Sequence, residues 1–199
     1  FWDFEKKEPI ETMYLGEDGL IPLEVKFHHD PDSTHGFCGA ALSSNLIHWW
    51  KNDAGKWQWE KIIDVGNEPH PEWPIPVPGV MSAILVSMDD KYLYLNNWLH
   101  GDMRQYDISD PHNPVLIGQV WMGGLLGKAP EVNGVKMAGG PQMFQLSLDG
   151  KRLYVTTSLF STWDNQFYPE IREQGGVMVM IDCDPENGEI GRASCRERV

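Results

Sequence analysis

The chain holds 199 residues with a formal net charge of −13, and is 41% hydrophobic and 23% charged, a balance ordinary for a globular domain with its own core. So acidic a chain repels phosphate backbones and anionic lipid, and no apolar run approaches the length of a bilayer span. Neither a nucleic-acid partner nor a membrane span is therefore expected.

Nine Trp and fourteen Pro point to a turn-rich β fold, because Pro breaks helices and Trp supplies packing area. In chain order, Phe1-Trp2-Asp3-Phe4 and Ile10 to Tyr14 read as two strands around a polar turn. Phe1-Trp2-Asp3-Phe4 has no signal-peptide layout and reads as a chain already in mid-strand. On that reading the true start lies upstream; the protein is expected to be soluble, its compartment open between cytoplasm and periplasm. Val25-Lys26-Phe27-His28-His29-Asp30 is a strand entering a turn, and Gly36 to Leu42 is a strand of small residues. Ile47-His48-Trp49-Trp50-Lys51 and Trp57 to Ile63 flank a further turn, and Arg104 to Ile108 and Val115 to Val120 flank another. Gly176 to Asp182 begins a last unit, expected to stop after Pro185 with three strands.

An internal repeat organises these elements. Ser87-Met88-Asp89-Asp90-Lys91-Tyr92-Leu93-Tyr94-Leu95 matches Ser147-Leu148-Asp149-Gly150-Lys151-Arg152-Leu153-Tyr154-Val155 at an offset of 60 residues. Asp-Gly between alternating hydrophobics is a strong hairpin signal. Each unit holds four up-and-down strands, the content of a propeller blade. The fold class is accordingly all-β: a β-propeller of four-stranded antiparallel blades. Residues 1–190 hold the end of one blade, two whole blades and part of another. A twisted antiparallel sandwich is the rival, and it leaves the repeat unexplained. An arc of about three blades should expose apolar surface and unpaired edges. Residues 191–199 break the composition abruptly and resemble the conceptual translation of a sequencing-adapter oligonucleotide. They are expected to stand outside the fold, the rival being a basic tail.

Among seven His, most read plainly: His70 and His112 as solvated turn residues, His48 as a packed strand residue and His35 as a loop residue. His29 and His100 differ. His29 stands where the repeat places Met88 and Leu148, and His100 where it places Phe160. A ring with two polar nitrogens at an apolar repeat position needs a partner. Either each is a structural histidine bonded to backbone, or both share a central site. Imidazole suits Cu, Zn, Fe and Ni, so His29 and His100 are the candidate catalytic and metal residues. Asp30 and Asp102 are candidates to orient them; for Asp102 an ion pair with Arg104 is the alternative. Gly139-Gly140-Pro141 allows a sharp turn and close backbone approach. No Gly-Lys-Ser/Thr loop, HExxH or CxxC pair is present. Cys38 and Cys183 read as inert buried thiols.

Several long motifs resemble the selenium-binding protein / methanethiol oxidase family. They are Gly19-Leu20-Ile21-Pro22-Leu23-Glu24-Val25 with His29 and Pro31-Asp32, and the run from Asn97 to Pro111 containing Trp98-Leu99-His100-Gly101-Asp102. Ala138-Gly139-Gly140-Pro141-Gln142-Met143 and Gln166-Phe167-Tyr168-Pro169 complete them. The resemblance implies a seven-bladed propeller, a histidine-bound copper, and oxidation of methanethiol by oxygen and water to formaldehyde, hydrogen sulfide and hydrogen peroxide. A small thiol and dioxygen are the implied partners. It places the family's selenium cysteine outside this chain, so Cys38 inherits no such role, and the chain alone is expected to be inactive. The alternative is a non-enzymatic selenium-binding propeller acting as a binding module; a calcium-dependent hydrolytic propeller finds no carboxylate cluster in its favour.

Overall fold

The computed structural model describes residues 1–199 apart from 132, 133, 135, 187, 188 and 199; for Glu189 and residues 191–198 it describes the backbone alone. A short pair, β1 (Trp2–Asp3) and β2 (Glu8–Pro9), opens the chain. The first blade follows as β3 (Pro22–Phe27), β4 (Gly36–Ala40), β5 (Asn45–Lys51) and β6 (Trp57–Asp64), each paired antiparallel to the next. A second short pair, β7 (Asn67–Glu68) and β8 (Val77–Pro78), leads to the second blade. That blade is β9 (Ile84–Val86), β10 (Tyr92–Asn97), β11 (Asp102–Asp107) and β12 (Val115–Trp121). The third is β13 (Gln142–Leu146), β14 (Arg152–Thr156), β15 (Val177–Asp184) and β16 (Glu189–Arg198), with α1 (Ser161–Phe167) and α2 (Ile171–Gln174) between β14 and β15. The propeller architecture is as expected.

β10 shows why blades stack. Its residues Tyr-Leu-Tyr-Leu alternate between faces, as any strand must, yet all are buried. Leu93 and Leu95 join Phe37, Leu46 and Ile84 in the core between the first two blades. Tyr92 and Tyr94 join Leu153, Val155, Val179 and Ile181 in the core between the second and third. A middle-blade strand is thus apolar on both faces because it has a neighbour on each.

The repeat is physical down to single hydrogen bonds. Ser87 Oγ donates to Asp89 Oδ1 (2.6 Å) and accepts from the Tyr92 N–H (2.9 Å). Ser147 Oγ donates to Asp149 Oδ1 (2.5 Å) and accepts from the Arg152 N–H (3.0 Å). Asp90 and Gly150 hold the left-handed position of the two turns, at φ 58° and 69°. Blades also bond to each other at this spacing. The Ile84 N–H donates to Glu24 Oε2 (2.8 Å), and Ser82 Oγ donates to Gln142 Oε1 (2.5 Å).

One expectation needs correcting. The last blade has four strands, not three, and residues expected to stand outside the fold supply most of the fourth, β16, which pairs with β15 through two register shifts. The physical reason is that β15 otherwise presents an open edge of N–H and C=O groups, and an adjacent extended segment satisfies them through backbone alone. The segment between β14 and β15 is helical. Asp164 organises it: its carboxylate accepts the Leu159 N–H (3.0 and 3.1 Å) and Ser158 Oγ (2.8 Å). Trp98, Phe167 and Tyr168 pack together there, and Tyr168 Oη donates to the Trp98 carbonyl (2.6 Å).

Candidate functional site

The first strands of the three blades border one depression of about 220 Å³, lined by Phe27, His29, Leu85, Met88, Gln145 and Leu148 among others. His29, Met88 and Leu148 meet there as the repeat expects. The His29 N–H and Nδ1 both reach Asp90 Oδ1 at 2.8 Å, and the Asp30 N–H reaches Oδ2 at 2.9 Å. A carboxylate only accepts, so His29 carries its proton on Nδ1 and keeps a lone pair on Nε2. Partial burial works against ionising Asp90, yet the N–H donors of His29 and Asp30 hold its carboxyl below the usual range. A histidine fixed by a carboxylate with the other nitrogen free is the arrangement found behind metal-bound imidazoles.

His100 lies elsewhere. It follows β10, whereas Asp90, the partner of His29, precedes it. Six residues of strand separate the two ends by about 20 Å, far more than the ~4 Å that two metal–nitrogen bonds can span. The structure does not bring His29 and His100 to one ion. The reason is connectivity: the counterparts Met88 and Leu148 sit in first-to-second-strand turns, and Phe160 follows the second strand, so up-and-down strands put them at opposite ends. His100 is fully buried and donates from Nε2 to the Val77 carbonyl (2.9 Å), while its Nδ1 has no hydrogen-bond partner.

The orienting carboxylates differ from expectation as well. Asp30 touches the site through its N–H; its own Oδ1 accepts the Asp32 N–H (2.9 Å). Asp90 takes the role expected of Asp30. The signal was present in the sequence, since Asp90 stands where the repeat has Gly150. Asp102 is fully buried and accepts from Asn97 (3.0 Å), Arg104 Nε (2.7 Å) and Gln119 (2.6 Å), not from His100. Cys38 and Cys183 are buried free thiols as expected; burial pushes the Cys183 thiol up to about 12 and raises that of Cys38.

A second cluster escaped the sequence reading. His48 of β5 stands laterally between Phe37 of β4 and Glu60 of β6. His48 Nδ1 lies 3.2 Å from Glu60 Oε1, and its Nε2 lies 2.8 Å from His35 Nδ1. His112, from the turn between β11 and β12 of the next blade, brings Nδ1 to the same Glu60 Oε1 at 2.5 Å. One donor atom from each of His35, His48 and His112 falls within 4.8 Å of the others, the one such group among the described residues. Burial drives the His48 ring down to about 4, against the raising effect of Glu60. Burial also lowers His35, helped by His28 and His112. His48 is packed and His112 half exposed, as their local sequences suggest; their convergence crosses a blade boundary, which no pattern within one unit reveals.

Comparison with known proteins places this geometry in context. The family model described as 56kDa selenium binding protein (SBP56) matches residues 1–194. A methanethiol oxidase of Xenopus tropicalis is 50% identical, over 95% of this chain and 44% of that protein. One from Rattus norvegicus is 51% identical and selenium-binding protein 2 of Mus musculus 49%, at the same coverage. The crystal structure of a hypothetical selenium-binding protein from Sulfolobus tokodaii superposes with a TM-score of 0.86 at 40% identity, covering 98% of this chain and 47% of that one. The periplasmic gluconolactonase of Pseudomonas aeruginosa, at 15% identity and a TM-score of 0.53, shares the fold alone. The chain thus spans less than half the length of these relatives. No helix among the described residues is long and apolar enough to cross a membrane.

Proposed function

The chain belongs to the 56 kDa selenium-binding protein family, and from that premise we propose that it forms part of a copper-dependent methanethiol oxidase. The activity is proposed for the whole protein, since the chain spans 44% of the oxidases it resembles. The observation that carries the reading is the Asp90–His29 pair at the depression shared by three blades. His29 Nε2 would hold copper together with donors from the rest of the protein, and bound copper supplies the one-electron chemistry that a closed-shell thiol needs to react with dioxygen. His100, at the far end of β10, takes no part.

The residues of this chain supply orientation and environment. Asp90 holds the His29 ring in one tautomer. Leu85, Met88, Leu146 and Leu148 line the depression, an apolar wall suited to the methyl group of a one-carbon thiol. The reaction balances with one molecule of each species: methanethiol, dioxygen and water give formaldehyde, hydrogen sulfide and hydrogen peroxide.

The test is peroxide and sulfide release on adding methanethiol to the intact protein. His29→Ala should abolish both, and Asp90→Asn should lower the rate about 10–100-fold by freeing the ring. Full activity in His29→Ala would sink the proposal. The name of the murine relative favours a second reading, a selenium-binding module without oxidase activity. Absence of both products from the copper-loaded parent would favour that one.

A further inference from the structure

We propose that His35, His48 and His112 form a site for a divalent first-row metal ion of the zinc class, which joins the first blade to the second. The site is separate from the depression that holds His29, and it does not depend on the oxidase reading.

The donor set fits such an ion. Three imidazoles with a carboxylate beside them suit Zn, Cu and Ni better than Mg or Ca. Donors on one tetrahedral zinc stand about 3.4 Å apart, given Zn–N bonds of about 2.0–2.1 Å. Here the donor atoms already lie within 4.8 Å, and His35 Nδ1 and His48 Nε2 within 2.8 Å. Closing the longest separation from 4.8 Å to about 3.4 Å takes a relative movement of about 1.4 Å.

The protons are arranged for it. Glu60 Oε1 can only accept, so it takes Nδ1–H from both His48 and His112. Each ring then keeps a lone pair on Nε2, oriented by the shared carboxylate as in carboxylate–histidine–zinc sites. His35 Nδ1–H donates to His48 Nε2 in the metal-free protein; moving that proton to His35 Nε2 frees Nδ1 for the metal with no change of net charge. Burial favours the neutral rings, and neutral imidazole is the ligating form. His35, His48 and Glu60 belong to the first blade and His112 to the second. The ion would therefore tie two blades that otherwise meet through apolar packing and single hydrogen bonds.

The experiment uses the intact protein, stripped with a chelator and titrated calorimetrically with Zn²⁺. Thermal melts with and without the metal accompany each titration. The parent should bind one more equivalent than His112→Gln or His35→Gln, and its Tm should rise by roughly 3–6 °C at a hundredfold excess over Kd. Glu60→Gln should weaken the site about 10–100-fold. His112 is half exposed, so its replacement leaves the metal-free Tm close to the parent's. His29→Ala should leave this equivalent untouched, which separates it from any copper at the depression. Equal stoichiometry and equal Tm shifts in the parent and both histidine variants would overturn the proposal.

Discussion

Asp102 and Arg104 form a buried pair, with the Asp102 side chain fully enclosed and that of Arg104 16% exposed. Removing one member strands the other charge. Asp102→Ala should therefore cost about 3–5 kcal/mol, read as a lowered urea midpoint. His48 gives a pH prediction. Burial brings its ring down to about 4 in the folded protein against the ordinary 6.5, so the unfolded state binds the proton first. The stabilising effect of the neutral ring is complete above about pH 6.5 and is lost as pH falls toward about 4, on the order of 2–3 kcal/mol. His28 and His35, also lowered by burial, act in the same direction. Urea melts in chelator at pH 7, 5.5 and 4 should show this fall, and His48→Gln should flatten it. At this scale the sequence revealed that His29 and His100 are unusual but not that they are far apart. The repeat offsets held that answer, because their counterparts lie in turns at opposite ends of a blade. Asp90 was legible as an exception at a glycine position. The His35–His48–His112 group was not, since its members come from two blades.

Tight turns carry much of the element-level specificity. Gly150 sits at φ 69°, and a Cβ there would meet Pro185 Cβ at 3.2 Å. Gly150→Ala should destabilise by about 1–2 kcal/mol, mostly from the left-handed backbone. Gly140 is a harsher case, where a Cβ would fall 1.8 Å from the Trp98 carbonyl oxygen, with no flexible atom to yield. Gly140→Ala should lower stability by more than about 3 kcal/mol, measured in the same melts, and the close backbone approach expected of Gly139-Gly140-Pro141 is the cause. The strands were readable because apolar alternation and Asp-Gly turns recur at fixed spacing. α1 was hidden, because seven residues around Trp163 show too little helical period and Asp164 anchors the segment through tertiary geometry. β16 was hidden for a different reason: an open edge recruits backbone, which the side-chain pattern does not encode.

On the scale of the molecule, apolar side chains at the first-blade end lie open, among them Phe4, Tyr14, Leu23, Val25 and Phe27. Exposed apolar side chains that adjoin one another mark a contact surface. The 199-residue chain alone should bind a hydrophobic dye more strongly per residue than its full-length relatives do; equal binding would show the face is covered another way. The propeller was readable because β10-type strands, apolar on both sides, need a neighbour on each. Between blades, Glu24 meets Ile84 and Ser82 meets Gln142, in both cases residue i with residue i+60. The two joints use different side chains, yet both run from one unit to the next in the same direction, head to tail rather than mirrored. A joint of that sense repeats in one direction only, so an added unit would have to match the polar pair at each of its two joints as well as the apolar packing.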